Sequence, residues 1–259
     1  MKWFRRVFLL MMVASTSQSA TIQNAMFVGK AFDLETGAVL YSERHERRNT
    51  SKGGDTLEVI YQHPDGRQFA RKRMDFSHNS LVPEFRFENS DSGHLESLVW
   101  IDDDTVEVAF SRSSEDTIAK GILAPPSNAL ADGGFDRFIQ QQWTNLASGD
   151  YEVREFLVPA RTEFMAFRVR IEPETTRPEW IRYTLEVDSA LLRFIVPPIR
   201  VWYERSNRRL MRYEGVSNVR DDAGENYQVR IEYEYAAVED RVRLRDINGT
   251  LGRRVNPRF

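Results

Sequence analysis

Four histidines, His45, His63, His78 and His94, are the residues of this chain best suited to acid–base or metal chemistry. Their spacing builds no metal motif: there is no HExxH and no pair at i, i+4. His63 falls in the turn HPDG and His45 in ERHERR, both of which read as solvated, charged settings. Asp102, Asp103 and Asp104 stand together but lack the glycine and terminal glutamate of a calcium loop, so they read as the turn between Trp100 and Thr105. No GxSxG elbow, P-loop or SxxK motif is present. The absence of cysteine excludes a disulfide framework, a thiol nucleophile and a lipid-modified terminal cysteine. The sequence therefore assigns no catalytic residue, no metal ligand and no cofactor. A hydrolase with an unfamiliar site stays as a third reading, which a histidine within hydrogen-bond reach of a carboxylate in a cleft would support.

The first twenty residues, MKWFRRVFLLMMVASTSQSA, place Lys2, Arg5 and Arg6 ahead of the apolar run Val7 to Ala14 and a small, polar stretch. This is the layout of a secretory signal peptide, and the apolar run is too short for a membrane-spanning helix. Cleavage is expected near Ser19 or Ala20, giving a periplasmic or secreted protein. The remaining chain holds 33 Lys and Arg against 39 Asp and Glu, a mildly acidic balance that argues against a nucleic-acid partner. Asn49-Thr50-Ser51 and Asn248-Gly249-Thr250 match the glycosylation acceptor, which matters only in a eukaryotic secretory route.

What could position a site is mostly strand. In Ile181 to Asp188 and in Tyr227 to Tyr235, apolar and polar residues alternate with a period of two, which predicts strands with one dry face in an antiparallel sheet. Ile199 to Glu204 and Leu210 to Glu214 continue a meander, with Pro197 and Pro198 marking a strand start or a corner. AMFVGKAFDL with AVLYSERHE, and LEVIYQ with RQFARKRMDF, read as hairpins across ETG and HPDG. EFRFEN, LESLVWI, TVEVAF, YEVREFLV and EFMAFRVRI extend the pattern to about ten to thirteen strands, the number of a large curved sheet or barrel. APPSN interrupts the pattern between Ser111 and Asp132 and reads as a connection inside a single β-rich domain over 21–259.

One stretch breaks the pattern. In DGGFDRFIQQQWTNLASGD, Phe135, Phe138, Ile139, Trp143 and Leu146 fall within an arc of about 140° on a helical wheel, a core-facing stripe. Asp132 or the following glycines would cap the helix, Asp136 would favour its first-turn N–H groups, and Gly149 would stop it. Gln142 lies inside the apolar arc. It is expected either to bond the sheet backbone or to point into a pocket lined also by Phe135, Phe138 and Trp143. The fold class that follows is mainly β: a curved antiparallel sheet or half-barrel with one amphipathic helix on its apolar face.

Aromatic residues gather in the C-terminal third, with Phe194, Trp202, Tyr203, Tyr213 and the tyrosine row ending at Tyr235. Packing and cross-strand pairing explain most of them. Trp202 is the exception: the alternation turns it outward with Arg200 and Glu204, as a candidate contact residue for a protein partner.

GFDRFIQQQW, FLVPAR and RRLMRYEGVSNVRDDAGENYQVRIEYEY resemble an uncharacterised group of secreted bacterial β-rich proteins, a resemblance that implies no known activity. In architecture the chain is similar to periplasmic lipoprotein-carrier half-barrels of the LolA and LolB type, and no residue role follows from that. The leading expectation is a periplasmic binding or carrier-like protein for a lipid or other hydrophobic molecule. The alternative is an envelope interaction or assembly module that holds a protein partner through exposed strand edges and aromatics.

Overall fold

The computed structural model describes residues 26–49, 54–145, 151–174, 176–221 and 223–235. The signal-like segment, Leu146, Gly149 and the Asn248 acceptor lie outside them. Fifteen strands form one continuous sheet. The N-terminal half is an antiparallel meander of β1 (Met26–Asp33), β2 (Val39–Asn49), β3 (Asp55–Gln62), β4 (Gln68–Asp75), β5 (Glu84–Asn89), β6 (Leu95–Trp100), β7 (Val106–Ser111) and β8 (Ala119–Leu123). The C-terminal half comprises β9 (Ala129–Leu130), α1 (Gly134–Gln141), β10 (Glu152–Val158), β11 (Glu163–Glu172), β12 (Trp180–Val187), β13 (Ile199–Glu204), β14 (Leu210–Arg220) and β15 (Asn226–Tyr235). β15 pairs antiparallel with β1 and joins the halves, while β8 and β9 are the two ends of an unclosed, mainly antiparallel sheet. The prolines of APPSN connect those two ends, where a missing N–H donor costs no ladder bond.

The sheet rolls on itself. The turn between β10 and β11 contacts β6 and β7, and a methyl placed on Gly121 of β8 would lie 3.0 Å from Thr162 Cβ. Both faces of the β10–β11 hairpin consequently pack against apolar residues. Leu157 and Phe164 join the core of the N-terminal half, with Phe87, Leu98 and Val108, while Phe156 and Phe167 join the core under the helix, with Val169, Tyr183 and Val201. Leu210 and Tyr213 pack against both cores. At about 1.5 to 3 kcal/mol for each large apolar side chain fully buried, these two clusters are the main force holding the roll.

The helix is shorter than the wheel predicts. It ends at Gln141, and the backbone at Gln142 leaves helical geometry at φ −95°, ψ 11°. Its start is set by close approach: a Cβ on Gly134 would sit 1.9 Å from the Leu81 carbonyl oxygen, so only glycine lets the chain enter the helix here. Gly133 occupies the N-cap position with no side-chain cap bond, and the Asp132 carboxylate is committed elsewhere.

Candidate functional site

Phe138 and Ile139 are fully buried in the core under the helix, and the Arg154 guanidinium lies 4.5 Å from the Phe138 ring centre. Phe135 is half-buried, 6.4 Å from both the Phe138 and Phe156 rings. Trp143 lies in the turn after the helix, 6.1 Å from the Tyr183 and Tyr203 rings and under the Arg208 guanidinium. Gln142 corrects the sequence expectation in both its forms. Its backbone N–H donates to the Phe138 carbonyl and its Oε1 accepts from Asn145 Nδ2 at 2.8 Å, so the side chain serves the turn and neither the sheet backbone nor a pocket. The cause is the early helix end, which takes position 142 out of the helical arc.

The polar side of α1 carries the more informative contacts. Asp132 pairs with Lys72 of β4 at 2.5 Å, Arg137 pairs with Asp55 of β3, and Asp136 accepts the Tyr203 hydroxyl of β13 at 3.0 Å. Asp55 is also held by Arg47 of β2 through two bonds of 2.9 Å. The helix thus ties strands of the N-terminal half to a strand of the C-terminal half. Asp132 accepts a left-handed backbone, φ 41°, to reach Lys72, a conformation that Asp tolerates better than most residues. Burial pushes the Asp136 carboxyl up from its ordinary value, against the opposing pull of the Tyr203 hydrogen bond and of Arg47. The same burial, with the neighbouring Asp136 charge, holds the Tyr203 hydroxyl well above the ordinary tyrosine range.

Behind these pairs runs a ladder fixed by register. His45, Phe27 and Tyr235 lie in one cross-strand row, and Glu43, Gly29 and Tyr233 in the next. His45 stacks on Phe27 at 4.3 Å and 13°, and Phe27 stacks on Tyr235 at 4.9 Å. Gly29 leaves the space that Tyr233 fills, since a Cβ there would be 2.7 Å from the Tyr233 ring. Glu43, itself buried, accepts from Tyr233 at 3.4 Å and lies 2.9 Å from His45 Nε2. His45 is accordingly inside the protein, which corrects its reading as a solvated residue: Tyr41, Glu43, His45 and Arg47 alternate onto the dry face.

Two further histidine–carboxylate pairs exist, His94 with Glu96 and His63 with Asp91. His94 is buried, with Nδ1 against the Ser111 carbonyl and Nε2 against Glu96, and His63 lies in the exposed HPDG turn. Among the described residues no side-chain hydroxyl is hydrogen-bonded to any of these three rings. No group of three His, Cys, Asp or Glu among the described residues is placed to hold a metal ion. No helix among them is long and apolar enough to cross a membrane.

Trp202 faces away from the core, as the alternation requires, but it is only 5% exposed. It sits in a row between Arg182 of β12 and Arg212 of β14, whose guanidiniums lie 5.9 and 5.6 Å from its ring, and its N–H donates to Glu174 Oε2 at 2.7 Å. The expectation of an outward contact residue fails for a physical reason: two arginine stems and their planar heads cover the indole.

Exposed apolar surface is found instead at the β8 end of the sheet. Val99 of β6, Glu107 of β7 and Ile122 of β8 share one cross-strand row. Ile122 is 69% exposed, Ile101 54%, Val99 50% and Ile118 48%, all on the outer side, with Lys120 paired to Glu107 between them. β8 pairs with β7 along one edge, and among the described residues no strand pairs with its other edge. The sequence signal for this strand is the short alternation of Ile118, Lys120 and Ile122 with Ala119 and Gly121. An open groove of about 470 Å³ on β2–β6 differs in kind, since the arginines Arg71, Arg73 and Arg86 at its mouth are paired with Glu58 and Glu88.

No protein-family model matches the chain, and no curated protein matches it. Among solved structures it is similar to the crystal structure of a beta-barrel-like protein of the domain of unknown function DUF1849 from Brucella abortus. The two chains share 10% identity over 82% of this chain and 95% of that one, with a TM-score of 0.40.

Proposed function

We propose that this chain is a non-catalytic binding module that holds an extended segment of a partner protein along the free edge of β8. The observation that carries this reading is the coincidence of an unpaired strand edge with the exposed aliphatic side chains of Ile122 on that strand and of Ile118, which directly precedes it. A free edge offers a row of backbone donors and acceptors with which an extended segment can pair. The helix supports the reading indirectly. Tied down at Lys72, Asp55 and Tyr203 and filled beneath by Phe138 and Ile139, it acts as a strut between the two halves. The leader-like first twenty residues support a periplasmic or secreted setting.

The test is photo-crosslinking in the native host, with a photoreactive amino acid at Ile122 and, as a control, at Val28, an exposed aliphatic on a strand paired along both edges. The reading predicts an adduct from position 122 only, mapping to one continuous stretch of one protein and lost on adding Ile118→Lys at unchanged Tm. Equal adducts from both positions would overturn it.

A second reading, a carrier for a hydrophobic molecule, is favoured by one observation. Tyr183 is fully buried, its hydroxyl meets no partner, and burial pushes it up to about 12. A carboxylate-bearing amphiphile lying against the half-buried Phe135 and Trp143 would supply the missing acceptor. On this reading Tyr183→Phe weakens binding of a twelve-carbon fatty acid about tenfold, the worth of a hydrogen bond to a charged group, and unchanged or undetectable binding by calorimetry would exclude it.

A further inference from the structure

We infer that the segment taken up by β8 is a cationic strand, in which apolar residues alternate with arginine or lysine. This rests on the reading of β8 as a docking edge and adds the chemistry of the partner. The stretch 99–123, which runs from the end of β6 through β7 and β8 with the turns between them, holds six carboxylates, Asp102, Asp103, Asp104, Glu107, Glu115 and Asp116, against two basic groups, Arg112 and Lys120. Lys120 is paired with Glu107, so the excess negative charge lies in the two turns. Those turns flank the edge. Leu123 pairs with Val106, directly after the Asp102–Asp104 turn, and Ala119 pairs with Phe110, directly before the turn that carries Glu115 and Asp116. All five turn carboxylates are exposed.

An added strand would therefore run between two acidic ends, with its apolar side chains over Ile118 and Ile122 on the outer face. Strand alternation does the rest: residues i and i+2 of the partner share a face, so one face can meet the isoleucines while basic side chains on the other reach toward the turns. The Debye length at physiological salt, about 8 Å, lets exposed carboxylates at the ends of a short strand still act on an incoming basic side chain. The asymmetry also repels acidic strands, so the same charges that recruit one class of partner exclude another.

The experiment is calorimetric titration of the full chain with three eight-residue peptides in which valine alternates with arginine, threonine or glutamate. The inference predicts binding of the arginine peptide at least tenfold tighter than the threonine peptide, and no binding of the glutamate peptide. The preference should shrink at 0.5 M salt, on the order of the screening expected when the Debye length halves. Asp102→Asn, Asp103→Asn and Asp104→Asn together should reduce it at unchanged Tm, since the side-chain oxygen retained at position 102 can still accept the backbone N–H of residue 104 in the turn. Ile118→Lys with Ile122→Lys should abolish binding of both the arginine and threonine peptides. Equal affinities for the arginine and threonine peptides would overturn the cationic specificity and leave the docking edge standing. Arginine-peptide binding that survives the two isoleucine substitutions, or no binding by any peptide, would overturn both.

Discussion

The Trp202 indole N–H donates to Glu174 Oε2 at 2.7 Å, and this bond is the largest reason that the Glu174 carboxyl lies at about 2. The backbone N–H groups of Thr176 and Arg177 add to it. Because the folded value is depressed, the stabilising contribution is present above the ordinary glutamate range and is lost as pH falls toward about 2. Trp202→Phe removes the donor and keeps most of the packing. It should move the Glu174 carboxyl back toward 4.5 in an NMR titration; an unmoved carboxyl would show that the two backbone donors suffice.

Asp136 behaves in the opposite sense. Its folded-state value is raised, so its contribution favours the fold below the ordinary aspartate range and is lost as pH rises through the raised value. Asp136→Asn keeps an acceptor for Tyr203 without the cost of a buried charge. The variant should match or exceed the wild-type Tm at pH 7 and lose that advantage below pH ~4, the ordinary aspartate range. A lower Tm at pH 7 would mean that the ionised carboxylate is needed by Arg47 or His45.

Lys72 and Asp132 form a mostly buried ion pair, and breaking such a pair on one side costs about 3 to 5 kcal/mol, because the remaining charge is left without compensation. Lys72→Met alone should approach that loss in urea denaturation. Lys72→Met with Asp132→Asn should recover most of it, since asparagine tolerates the left-handed backbone at this position. Additive losses in the double-mutant cycle would refute the coupling.

Gly29 and Gly134 are required for different reasons. Gly29→Ala places a methyl against the Tyr233 ring and Ile231, side chains able to shift, and should cost about 1 to 3 kcal/mol. Gly134→Ala meets the Leu81 carbonyl, a backbone group that cannot yield without moving the chain, and should cost at least the upper end of that range. Equal losses in parallel denaturation curves would contradict the distinction.

The strand pattern made the antiparallel sheet and its meander legible, because alternation in segments such as Tyr227 to Tyr235 follows directly from one dry face. The two strands that the pattern did not mark, β8 and β9, are the edges. There a short strand has little to bury, and at β8 the large side chain of Ile122 points outward. Alternation also carried a signal that composition hid: Glu43, His45 and Lys72 fall on the dry faces of their strands, where a buried polar group demands a partner. Which partner it finds depends on residues far away in the chain, as with Lys72 and Asp132. Trp202 marks the converse limit, since its direction follows from the strand period but its cover comes from arginines on neighbouring strands.

The central claim is that the free edge of β8 receives an added strand. Amide hydrogen exchange across residues 119–123 of the full chain, alone and with a saturating concentration of whichever valine-alternating peptide binds more tightly, tests it most directly. The account predicts at least tenfold slower exchange in β8 on binding and no change in β3 or β4, whose edges are already paired. A bound peptide that leaves β8 exchange unchanged, or protection confined to strands other than β8, would contradict it.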